Sequence, residues 1–488
     1  MNKQTCAITR RLTRNDAARR IQAAVRKTRK NKTTLAKPST PNGPSTLEIQ
    51  EFSNRVQARR LARFMRNVEP KRRAAFLKGV CSDAGVCMAF GKETAKIRKH
   101  FDGFTSFEYL TGKAKRIGTV SSNGFVKMLT YSRNGYEAHA ILKSTVSSEA
   151  DNLYYEYLVG KYINRLAIQY PCFVETYGLL KYKTEAAYVE ARDNRQSSIS
   201  LLKSDLIPIR APTSPDVFAH SCENPKNIAL LVENIKNSLT LTEMISNNQS
   251  FSKHELHYAL YHVYMPLAAL RESFTHYDLH PDNVIVNFPI KNNYVQYHYH
   301  LPGDQVVSFK SSYFVKIIDY GRAFFNDETN PGVDGSSKRI YDQLCSTPEC
   351  QKCGKDVGYY WLNARKLTEK EYYMSAQIHN QSHDLRLLNM LAKPAKNKKP
   401  IEVITEHNPD LLNIIKKVKY QFVYGTEEKP KSGLPKHIQN VSDAAKSLEA
   451  FIRKPSTVAE NETHYANRVK LGDMHIYYDG RPLEFHTA

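Results

Sequence analysis

Long apolar runs are missing from this 488-residue chain. No stretch approaches the roughly 18 uncharged apolar residues that argue for a membrane-spanning helix, so no span is expected. The N-terminus lacks the apolar core of a secretory signal, and export is not expected. Cysteine is sparse: eight residues, five of them widely scattered, suit a reducing intracellular compartment better than a disulfide scaffold. No internal repeat is evident. What remains is ample for a folded protein. With 41% hydrophobic residues the chain can bury a real core, and its length admits one large bilobal domain with appendages, or two to three average domains.

Acidic residues are also short, 48 against 71 Lys and Arg, and the imbalance is local. Residues 1–100 hold 25 Lys and Arg against 6 Asp and Glu, so +19 of the formal +23 sits there. Residues 1–46 read as a basic, largely disordered tail with a Pro- and Ser/Thr-rich linker over 33–46. Residues 47–104 read as a basic helical extension, with Phe52, Val56, Leu61, Phe64, Met65 and Phe76 at helical spacing. Within the tail, Ala17–Lys27 resembles an IQ motif through Ile21, Gln22 and Arg26, but Lys27 stands where Gly is usual. A basic amphipathic helix of this kind suits a polyanion or a calmodulin-like partner for residues 1–32, and a solvated tail is the plain alternative.

The chemistry-bearing residues lie further on. Asp278 is followed five positions later by Asn283, inside Thr275-His276-Tyr277-Asp278-Leu279-His280-Pro281-Asp282-Asn283. A helix-forming segment, Leu256–Phe274, precedes this loop, and a strand-like run, Val284–Val286, follows it. The apolar run Phe314–Ile318 then ends in Asp319-Tyr320-Gly321. A carboxylate at the end of a buried strand can present oxygen to a hard cation, and a second carboxylate in a loop can orient an attacking hydroxyl. Upstream, Gly124 and Val126 end a candidate phosphate-covering loop in which Thr119 and Ser121 replace glycines. Lys143 ends the strand-like run Ala140-Ile141-Leu142-Lys143. Glu156, on an expected helix over Asp151–Tyr162, is the carboxylate chosen to orient Lys143, with Glu149 its competitor. Residues 228–235, including Glu233, read as a buried strand opening into a polar segment. Asp384 is placed to brace the 276–278 backbone or to start a helix.

Together these residues resemble a divergent member of the protein-kinase-like superfamily, over about residues 105–395, with a texture similar to kinases carried by large nucleocytoplasmic DNA viruses. The resemblance implies an α+β, bilobal protein-kinase-like fold with a basic helical N-terminal extension. Its N-lobe would span 105–235 and its C-lobe 236–450, with a C-terminal segment at 451–488. It implies ATP and Mg²⁺ as cofactors, Asp278 as catalytic base, Asn283 and Asp319 as metal ligands, and Lys143, Glu156, Gly124, Val126 and Glu233 at the nucleotide. It implies a protein Ser/Thr acceptor and, for a viral protein, the host cytoplasm or the virion.

Three departures keep other readings open. His280 stands where protein Ser/Thr kinases usually carry Lys, and His-Pro there is similar to small-molecule phosphotransferases. Asn283 and Asp319 are separated by a long tyrosine-rich insertion, expected as an extended hairpin turning at Pro302-Gly303. No Ala-Pro-Glu is present, only Thr347-Pro348-Glu349. A pseudokinase scaffold working through its basic region is the non-enzymatic alternative. Cys345, Cys350 and Cys353 could hold zinc with His379 or His383, or could be reduced thiols in a packed loop.

Overall fold

The computed structural model describes residues 79–81, 87–117, 124–134, 136–145, 152–210, 228–288, 291–344, 360–361, 374–375, 379–394, 398–419 and 437–488. The tail 1–46, residues 47–78, Thr119, Ser121, Glu149, residues 347–349 and Cys345, Cys350 and Cys353 lie outside the described residues. The fold mixes helices with largely antiparallel sheets and is α+β.

Seven strands from the first half form one wholly antiparallel sheet. They are β1 (Leu110–Ile117), β2 (Phe125–Arg133), β3 (Tyr136–Ser144), β4 (Thr176–Tyr182), β5 (Gln196–Ser197), β6 (Leu206–Pro208) and β7 (Ile228–Glu233), in the order β5-β1-β2-β3-β7-β4-β6. Strand periodicity splits the buried residues between two cores. Phe125, Leu129, Tyr131, Ala140, Leu142, Ala229 and Leu231 enter one apolar cluster. Leu179, Ile228 and Leu230, facing the other way, join the larger cluster beneath helix α1 (Asn152–Gln169). Gly160 permits that approach, because a Cβ there would collide with the Thr176 side chain.

The second half is built on helices. After β8 (Leu239–Thr240), Thr240 and Glu243 form a capping box that starts α2 (Leu241–Asn247). Helices α3 (Gln249–His254) and α4 (Leu256–Ala269) follow. Every α4 residue from Leu256 to Ala268 is buried, as expected of a helix apolar on all sides. Strands β9 (Val284–Asn287) and β12 (Phe314–Ile317) pair antiparallel, and between them the insertion forms a hairpin, β10 (Asn293–Leu301) and β11 (Gln305–Ser311). Gly303 and Asp304 both take positive φ in its three-residue loop. Helices α5 (Arg386–Ala392), α6 (Val441–Ile452) and α7 (Pro455–Tyr465) lead to β13 (Val469–Tyr477) and β14 (Glu484–Thr487). β13 lies parallel to β10 and antiparallel to β14, making a four-stranded sheet. Its inner face carries Tyr297, Tyr299, Phe309, Met474 and Ile476 onto the large core, and its other face carries His298, His300 and His475.

Two boundaries read differently in three dimensions. Residues 79–104, expected as helical extension, include a strand pair (Gly79–Cys81 with Cys87–Ala89) before the helix Thr94–His100, and Phe90 stacks on Phe314 at 5.0 Å. Residues 451–488 are integral to the second half, since α6 crosses position 450 and β13 completes the hairpin sheet. Both segments carry aromatic or aliphatic residues that pair with sequence-distant strands, a signal no local pattern contains.

Candidate functional site

Lys143 is the penultimate residue of β3, opposite Val126 on one side and Leu230 on the other. Its Nζ donates to Glu156 Oε2 at 2.6 Å and to Asp319 Oδ1 at 3.0 Å. One ammonium thus joins the sheet, helix α1 and the segment after β12. Burial opposes the charge on Lys143, but Asp319 and Glu156 outweigh it and raise its pKa above the ordinary lysine value. Burial raises the Glu156 carboxyl, Lys143 pulls it down and Asp319 pushes it up again. Gly124 stands beside this end of the sheet at φ +155°, where any Cβ would collide with the Ser144 carbonyl.

Helix α1 is tied to the chain beyond Asp319 at further points. The Tyr155 hydroxyl bonds Ala323 O at 2.5 Å and Ser337 Oγ at 2.8 Å. Lys161 pairs with Asp334, and Arg165 with Asp327. These contacts fix the helix that carries Glu156 to the segment that carries Asp319.

The loop 276–283 is held mainly through its backbone. Asp384 accepts the N–H groups of His276 at 2.8 Å and Tyr277 at 3.0 Å, which makes it the brace anticipated from sequence. Burial pushes the Asp384 carboxyl up to about 7, against the pull of those two donors. Tyr277 adopts φ +60°, a conformation that turns the loop so that Asp278 follows it. His276 Nε2 lies 3.1 Å from Ile318 O, and Ile318 N donates to Asn283 O at 3.0 Å. The loop and the Asp319 segment are therefore laced together. Asn283 Nδ2 donates to Asp278 O at 2.9 Å, which leaves its Oδ1 as the acceptor end of the amide.

The Asp278 carboxylate is 2% exposed and lies between two guanidinium groups. Arg386 Nη1 is 2.6 Å from Oδ1, and Arg322 Nη1 is 3.2 Å from Oδ2. Burial alone would raise this carboxyl, but Arg322 and Arg386 hold it below its ordinary value. His280 Nε2 is 3.9 Å from Oδ1, too far for a hydrogen bond, and its Nδ1 accepts Asp282 N–H at 3.2 Å.

Of the expected residues, Lys143, Glu156 and Asp319 touch one another. Asn283 and Asp278 form a second group, Val126 faces Lys143 across the sheet, and Gly124 abuts Ser144. The Glu233 side chain is engaged elsewhere: its carboxylate meets Lys316 Nζ at 3.3 Å and Glu175 N at 3.1 Å, so it braces the strand leading to Asp319. His383 is buried, and His379 lies 3.8 Å from Glu272. Arg322 and Arg386 escaped the sequence reading. Their only signal was adjacency, one following Asp319-Tyr320-Gly321 and the other two residues after Asp384.

Among the described residues no cluster of three or more His, Cys, Asp or Glu could hold a metal ion. A magnesium ion does not require one, since it is commonly bound by one or two protein oxygens and completed by phosphate and water. The Asp319 carboxylate and the Asn283 amide oxygen are hard donors of that type. No helix among the described residues is long and apolar enough to cross a membrane. No protein-family model and no curated protein matches the chain.

Proposed function

We propose that this chain is a Mg·ATP-dependent phosphotransferase of bilobal, protein-kinase-like arrangement, acting on a protein Ser or Thr hydroxyl. The observation that carries this reading is the pair of ion pairs made by Lys143, to Glu156 at 2.6 Å and to Asp319 at 3.0 Å. A lysine directed by a helix carboxylate, beside a strand-end aspartate, is suited to grip polyphosphate while the aspartate meets its counter-ion.

In this mechanism Lys143 neutralises the α- and β-phosphates, with Glu156 fixing its direction. Asp319 and Asn283 would hold magnesium, which supplies charge neutralisation at the phosphates. Asp278 accepts a hydrogen bond from the acceptor hydroxyl and aims its oxygen at the γ-phosphorus. A bond forms from that oxygen to phosphorus as its proton passes to the Asp278 carboxylate, the bond to the bridging oxygen breaks, and ADP departs with the electron pair. Positioning and electrostatics carry the rate, since no covalent enzyme intermediate is required.

The His280-Pro281 pair, similar to that of small-molecule phosphotransferases, motivates a small-molecule hydroxyl as the second reading; in the fold His280 caps the turn Pro281–Asn283. The test is phosphate transfer from ATP, with Mg²⁺ or EDTA, to mixed protein and small-molecule acceptors. Mg²⁺-dependent ATP binding should be abolished in Asp319→Ala. Unaltered Mg·ATP binding in that variant would sink the reading, and ATP binding without turnover on any acceptor would leave a scaffold.

A further inference from the structure

We infer that Arg386 and Arg322 are positioning residues for Asp278, holding its carboxylate in one orientation toward the incoming hydroxyl. Their assignment to phosphotransfer rests on the reading above.

Each arginine takes a different oxygen, Arg386 on Oδ1 at 2.6 Å and Arg322 on Oδ2 at 3.2 Å, so rotating the carboxylate breaks at least one pair. His280 stands further off, with Nε2 at 3.9 Å from Oδ1 and Nδ1 accepting the Asp282 N–H.

The two arginines also come from different segments of the chain. Arg322 follows Asp319-Tyr320-Gly321, so its grip on Asp278 links the lysine end of the site to the hydroxyl end. Arg386 opens α5 two residues after Asp384, which binds the His276 and Tyr277 N–H groups. Residues 384–386 therefore hold three consecutive loop residues, two by backbone and the third by side chain. A shift of that turn would move the loop and the Asp278 carboxylate together. The titratable and charged groups acting on Asp278 are Arg322, Arg386, Asp319, His280, His276 and His383, and the two arginines outweigh burial.

The test uses the full chain with Arg386→Gln, Arg322→Gln and the conservative Arg386→Lys. Carboxyl-carbon NMR follows the titration of Asp278, whose resonance is identified by its loss in Asp278→Asn. Thermal melting checks that each variant folds, and Arg322→Gln carries the test where Arg386→Gln does not fold. Each Gln variant should titrate Asp278 at higher pH than wild type. kcat should fall on the order of 10²-fold, the cost of a misplaced group, while KM for ATP moves less than about twofold. Arg386→Lys should recover part of the titration shift and part of kcat, since a lysine keeps the charge but loses the planar fork. An Asp278 titration unmoved in both Gln variants overturns the inference. So does a loss of kcat that merely tracks melting temperature. Absent turnover in wild type, with the Asp278 titration still responding to both arginines, overturns the phosphotransferase reading and leaves the carboxylate clamp standing.

Discussion

The two ends of the site are charge inverses. At one, a lysine lies between two carboxylates, Glu156 and Asp319; at the other, a carboxylate lies between two guanidiniums, Arg322 and Arg386. Each central group is kept ionised against burial by its flanking pair, and each trio keeps one charge in excess, negative around Lys143 and positive around Asp278. An excess anion suits a divalent cation, and an excess cation suits an anion that gains charge during reaction. The chain reaches this with different materials. Strand and helix packing set the lysine end, whereas a strained turn and its hydrogen-bonded backbone set the aspartate end.

Breaking the aspartate end should have the largest effect. Asp278→Asn keeps the shape and removes the charge, and turnover should fall about 10²–10⁴-fold with ATP affinity nearly intact. Equal losses in kcat and ATP binding would show that the two ends do not act separately.

Acid should separate the ends next. Burial holds His257, His262 and His383 down at about 3 and His276 at about 4, all below the roughly 6.5 of an unfolded chain. A depressed folded pKa contributes stability above pH 6.5 that is lost as pH falls through the window from 6.5 toward 4, because the unfolded chain binds these protons first. Asp384 and Glu255, both pushed up to about 7 by burial, act with the opposite sign and gain stability as pH falls through 7, so urea unfolding at pH 7.5, 6 and 5 should show its main decline between pH 6 and 5. Since His276 and His383 adjoin the aspartate end, amide exchange in 276–284 should rise before that in 140–144. Flat stability across that range would mean these imidazoles charge in place.

The smallest effect is expected at Glu156→Gln. Lys143 keeps Asp319, so KM for ATP should rise about tenfold, the usual scale for losing one charged partner. Melting temperature should hold steady or increase, because a carboxylate that burial disfavours has been removed. A collapse in stability would show that Glu156 is needed for folding.

Much of this comparison was legible beforehand, and the reasons differ by residue. Asp278, Asn283 and Asp319 were readable because their spacing is set by one loop and two adjacent strands. Lys143 and Glu156 were readable because a strand end and the next helix are local. The expected hairpin around Pro302-Gly303 is β10–β11, and the helix expected over Asp151–Tyr162 runs on to Gln169. The arginines were not legible, because a single Arg carries no periodicity and its partner is chosen by tertiary packing. The pairing of β13 with β10 was equally hidden, since parallel neighbours need no turn between them.

That pairing has a consequence in time. His298 and Asp473, in contact across β10 and β13, are 175 positions apart. At about 5–20 residues per second, a ribosome needs on the order of ten seconds or more to deliver the second strand after the first. Through that interval β10 presents an unpaired edge, with Tyr297 and Tyr299 awaiting the rest of their layer. A nascent chain halted before Val469 would be an exposed template for its neighbours on the same message. Emergence of β13, more than assembly of the Lys143–Asp319 contact, should then close that edge.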